Sequence, residues 1–72
     1  MKYREALNHE CVYEGTSYDE IITKMKADSP CPDFTNYEYM AVICVGMGKS
    51  TTTDPEEFIK VMLISGFIEF CK

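Results

Sequence analysis

The chain has 72 residues, which makes it one domain (1–72) with a thin stability margin, since a fold of about 60 residues buries only roughly 60% of the surface its unfolded chain exposes. Twelve acidic against seven basic residues give a formal net charge of −5, and with no cluster of Lys or Arg this counts against binding to nucleic acid phosphates. The longest apolar stretch, Tyr39 to Val45, is far short of the ~20 residues a membrane helix needs.

The opening residues, Met1-Lys2-Tyr3-Arg4-Glu5, contain no apolar core of a secretory signal. Cys11, Cys31, Cys44 and Cys71 form no Cys-x-x-Cys pair, so free thiols in the cytoplasm are expected. Over residues 2–9, Tyr3, Ala6 and Leu7 share one helical face, a faint helix signal of two turns. Glu10 to Glu14 alternates loosely up to Gly15 and predicts a short strand.

Ser17 opens the first clear helix. Tyr18, Ile21, Ile22 and Met25 recur at i, i+3, i+4 and i+7, with Asp19, Glu20, Lys24 and Lys26 on the other side. Ser17 with Glu20 has the spacing of a capping box, in which side chains at the two ends of the first turn satisfy orphan backbone N–H groups reciprocally. Ser29-Pro30-Cys31-Pro32 stops the helix, because a residue before proline is pushed out of the helical region.

Residues 37–45 carry Tyr, Val, Ile and Cys, a composition that suits a strand. The same segment opens on Thr35-x-x-Glu38, has Phe34 placed to staple onto Tyr39, and runs into Gly46 and Gly48 as C-terminal stops. Start and stop signals agree on a helix, and that is the reading preferred; the alternative makes 37–45 the central strand of a three-stranded sheet. After the polar loop Lys49 to Thr53, Asp54 caps a third helix with Pro55 at its first position, and Phe58, Ile59, Val61, Met62 and Leu63 give it a broad apolar face. Gly66 ends it, and Phe67 to Cys71 reads as a closing strand whose available partner is 10–14. The fold class is therefore α+β: a mainly helical small domain of three capped helices with a short two-stranded element from the terminal segments.

Candidate chemistry is sparse. Val42 to Thr51 runs into Gly48-Lys49-Ser50, but a phosphate-binding loop needs a glycine where Ile43 stands. His9 and Cys11, with Cys31 or Cys71, have the ligand types of a zinc site, and pairing of the terminal strands would bring Cys11 near Cys71. Scattered cysteines in a small core more often act as small hydrophobes, so no metal and no cofactor is expected. A nucleophilic cysteine needs a base and an orienting group, and only His9 is at hand. The acidic pairs Asp19/Glu20 and Glu56/Glu57 are accounted for by their positions in first helical turns.

The distinctive feature is the middle helix. If 36–47 is helical it is apolar nearly all round, and two or three neighbours cannot cover such a helix. An exposed strip drawn from Tyr39, Met40, Val42, Ile43 and Met47 is then expected to contact a second copy or a protein partner. The sequence reading is a non-enzymatic cytoplasmic protein-binding module, a homodimer, with no nucleic acid and no membrane partner. Its alternatives are a small nucleic-acid-associated regulator using Lys49, Ser50 and Thr51, and last a thiol or metal site at His9, Cys11 and Cys71.

Overall fold

In the computed structural model, which describes residues 1–71, a period of two governs the first segment. Lys2–Glu5 is a strand, β1, with Tyr3 and Glu5 on one face and Lys2 and Arg4 on the other. The helix expected over 2–9 is not formed: Leu7, which would have shared a buried helical face with Tyr3, is 100% exposed. Tyr3 owes its burial to a sheet position instead.

β1 is the centre of a three-stranded antiparallel sheet in the order β2-β1-β3, with β2 Val12–Glu14 and β3 Ile68–Phe70. The two outer strands, which the sequence reading pairs with each other, do not pair; each pairs with the amino-terminal strand instead. A third strand is present, as in the alternative reading, but the central one is Lys2–Glu5, and residues 37–45 are helical. Arg4 faces Glu69 on the outer side of the sheet and their side chains meet at 3.1 Å. On the inner side Tyr3 stands opposite Tyr13 and Phe70, with the Tyr3 and Phe70 rings edge to face at 5.6 Å.

Three helices cover the inner side: α1 Tyr18–Ala27, α2 Asn36–Gly46 and α3 Pro55–Ile64. All three begin where the sequence places their caps, with variations in how each cap is built. At α2 the box is complete, since the Thr35 hydroxyl accepts from Glu38 N and the Glu38 carboxylate accepts from Thr35 N. At α1 the Ser17 hydroxyl accepts from Glu20 N, while the Glu20 carboxylate reaches one residue further back to the Thr16 N–H and hydroxyl. Asp54 accepts from Glu56 N, one residue short of box geometry, with Pro55 at the first helical position.

Both α2 and α3 end in the same hydrogen-bonded turn. After α2, Gly48 N donates to Val45 O and Lys49 N to Cys44 O; after α3, Gly66 N donates to Leu63 O and Phe67 N to Met62 O. This Schellman arrangement needs a left-handed residue, and Gly48 (φ 70°) and Gly66 (φ 77°) supply it. The second glycine of the phosphate-loop-like string is thus accounted for by helix termination.

Ile21, Ile22 and Met25 of α1 meet Phe58, Ile59 and Met62 of α3 in one core with Met40 and Cys44 of α2, closed below by Tyr3, Tyr13 and Ile68. Asn36 Nδ2 donates to Asp19 and to the Thr23 hydroxyl, pinning the start of α2 to α1. Among the described residues no helix is long and apolar enough to cross a membrane.

Candidate functional site

α2 leans over the sheet without closing on it, leaving a cleft of about 520 Å³. One wall is a single helical face, Tyr39, Val42, Ile43, Gly46 and Met47, spaced i, i+3, i+4, i+7 and i+8. Opposite it, the sheet contributes Glu5, Tyr13 and Ile68. The end of α1 adds Met25 and Asp28, followed by Ser29 and Pro30. From the end of α3 come Met62 and Phe67, the two residues whose backbones the Schellman turn joins, so that turn delivers Phe67 to the rim.

The residues predicted for an interaction surface divide between wall and core. Val42 is 47% exposed and forms the lip; Ile43 and Met47 are half-buried along the wall. Tyr39 is buried, and its ring packs edge to face on Phe58 at 6.1 Å while still lining the cleft. Met40 does not belong to the surface. It is 0% exposed, one residue round the helix from the wall and packed beside Cys44 in the core. The sequence could not separate these positions because every side of α2 is apolar. Outside the cleft, Tyr37 and Val45 are also exposed, at 62% and 68%.

The polar groups of the cleft are few and gather at one end. Glu5 lies on the inner face of the central strand, and its carboxylate accepts a hydrogen bond from the Tyr13 hydroxyl at 3.1 Å. Burial, then the Glu5 charge and hydrogen bond, then the Asp28 charge push the Tyr13 phenol well above its usual range. Tyr39 is raised too, by burial first and by Glu5 next. Both phenols thus sense the same carboxylate, and Tyr13 senses both carboxylates of the cleft. This grouping escapes a reading of the sequence. The available signal is Glu5 standing two residues from Tyr3 on one strand face, and a helical reading of residues 2–9 hides it.

The thiol and metal candidates are not assembled. Cys11 O accepts from Glu5 N at one end of β1, and Cys71 N donates to Lys2 O at the other. β1 runs between their strands, which places those strands roughly 10 Å apart. The His9 ring is taken up by Glu69, at 3.0 Å from Oε1, on the outer face beside Arg4. The Glu69 carboxyl is held below its usual range, by Arg4 first and also by His9. Burial and the neighbouring Glu5 charge push the Cys11 thiol up, away from the thiolate a nucleophile requires. No group of three or more His, Cys, Asp or Glu side chains suited to a metal occurs among the described residues.

No family model matches the sequence, and neither a curated protein nor a solved structure matches it significantly.

Proposed function

We propose that this chain is a small, non-enzymatic protein-binding module whose site is the cleft walled by α2. The observation that carries this reading is the cleft itself, about 520 Å³ and mostly apolar, with Val42, Ile43 and Met47 open to an incoming side chain. Clefts of about 300–1,000 Å³ with apolar walls and a few convergent polar groups are the usual form of ligand sites, and one side chain of a partner protein fits the same dimensions. A domain this small gains from such contact, because its own core is marginal. The cytoplasm is the proposed location, supported by four free cysteines.

A homodimer is the second reading, favoured by a separate feature. Tyr37 and Val45 lie on the outer side of α2, away from the cleft, and two copies related by a two-fold axis would bury that ridge against itself. Sedimentation equilibrium on the wild type and on Val45→Glu tests it: a dimer mass lost in the variant supports self-association, and a monomer mass throughout rejects it. The cleft is tested by a photo-crosslinking residue at position 42, with one at Lys60, on α3 outside the cleft lining, as control. Specific protein adducts from position 42 alone support the module reading, and equal labelling from both positions removes its basis.

A further inference from the structure

The cleft is chemically lopsided. Its long wall is aliphatic, aromatic and thioether, while Glu5 and Asp28 place two carboxylates at the sheet end. Neither carboxylate takes part in an ion pair among the described residues, and no Lys, Arg or His lines the cleft there. Several of the chain's cations are engaged elsewhere: Arg4 pairs with Glu69 on the outer face, Lys60 with Glu56 and Glu57 along α3, and Lys24 Nζ donates to Glu14 O. An apolar slot ending in unneutralised carboxylates and two phenol rings complements a cation carried on an aliphatic stem.

We infer that the cleft receives a Lys or Arg side chain flanked by apolar residues on a segment of a different protein, its stem along Ile43 and Met47 and its charged head at Glu5 and Asp28. This rests on the binding-module reading and names the chemistry of its partner. A second copy is a poor occupant. The apolar helix it would offer, Asn36–Gly46, contains no Lys or Arg and does contain Glu38, and the copy brings a net charge of −5 to a chain that already carries −5. A basic partner is instead drawn in by that charge. Among apolar anchors, a neutral one would cover the half-buried Glu5 carboxylate without giving it a counter-charge, which disfavours it.

The test is a set of titrations of the full ¹⁵N-labelled chain followed by amide shifts. The probes are acetyl-Leu-Lys-Leu-amide, its Gln and Glu counterparts, and n-hexylammonium. The Lys peptide is expected to shift Glu5, Tyr13, Ile43 and Ile68 and to bind about threefold or more tighter than the Gln peptide, with the Glu peptide weakest. The preference should shrink in 1 M salt, where screening reaches about 3 Å. It should vanish in Glu5→Gln/Asp28→Asn, whose Gln peptide binding is retained. Equal binding of the Lys and Gln peptides at the cleft overturns the cation assignment and leaves the module reading standing. Shifts with hexylammonium but with none of the peptides overturn the protein-segment assignment in favour of a free amine. Absence of cleft shifts with every probe overturns both readings.

Discussion

Tyr13 and Glu5, diagonal to each other across the β1 and β2 ladder, share a 3.1 Å hydrogen bond in which the phenol donates to the carboxylate. That contact is what lets a carboxylate stand on the inner face of the central strand. Glu5 needs a donor there, and the phenol supplies one without bringing a positive charge that would neutralise the cleft.

Removing the donor has a calculable consequence. Tyr13→Phe should cost about 1–2 kcal/mol, because a hydrogen bond to a charged acceptor is lost and Glu5 is left part-buried without it. The substitution should also change behaviour in alkali. Tyr13 is raised above the ordinary phenol value of about 10, so the folded state holds its proton more tightly than the unfolded state does. Its contribution is complete below about pH 10 and is lost as pH rises through the folded value. Urea midpoints measured from about pH 8 to 11 should therefore fall in the wild type and fall less in Tyr13→Phe. Parallel curves would show that other groups govern the alkaline limb.

On the acid limb the cap carboxylates act alongside Glu69, which Arg4 and His9 hold below its usual range. Glu38 is held below the usual carboxylate range chiefly by the Thr35 N–H, and Glu20 by Thr16. Such groups stabilise the fold above the unfolded carboxylate value of about 4.3 and lose that contribution as pH falls through the lower folded value. Glu38→Gln, which keeps an acceptor but cannot titrate, should flatten the loss of stability below about pH 4. Thr35→Ala removes the other half of the box and should cost about 1 kcal/mol at neutral pH, read from thermal unfolding.

Gly66 and Gly46 should respond to alanine in opposite directions. Gly66 sits at φ 77°, where a Cβ is strained, so Gly66→Ala should destabilise by about 1–2 kcal/mol. It should also disturb Phe67, which the same turn sets at the cleft rim. Gly46 is helical, and a Cβ built there meets nothing within 4 Å. Gly46→Ala should stabilise by about 0.4–1 kcal/mol through the unfolded chain's lost freedom. Denaturant midpoints of the two variants on either side of the wild type are the expected result.

How much of this is legible in the sequence depends on how local each signal is. Ser17, Thr35 and Asp54 announce their helices because capping joins residues within one helical turn or little more, and Gly48 and Gly66 end two of them for the same local reason. The strand at Lys2–Glu5 is not legible. Over four residues Tyr3 fits either a strand face or a helical face, and what decides between them is pairing with Tyr13 and Phe70, the latter 67 residues away. The cleft inherits that difficulty, because Glu5 enters it only once β1 is known to be the central strand. On α2 the apolar wall is visible as composition, whereas its orientation, with Val42 out and Met40 in, is set by α1, α3 and the sheet.

That orientation gives the sharpest mutational contrast. Met40 and Val42 are two residues apart on one helix, so equal substitutions perturb helix propensity to a similar degree and differ mainly in what the side chain meets. Met40 fills the core, and Met40→Ala should cost about 2–5 kcal/mol; Met40→Glu buries a charge without a partner and should leave the chain unfolded. Val42 is at the lip, where Val42→Glu keeps its carboxylate in water and should change stability by no more than about 0.5 kcal/mol. Val42→Lys instead sets a positive charge at the cleft mouth that repels an incoming cation, so it should lose the acetyl-Leu-Lys-Leu-amide shifts while keeping wild-type helicity by circular dichroism. A folded Val42→Lys that binds the peptide as the wild type does would place the contact away from α2.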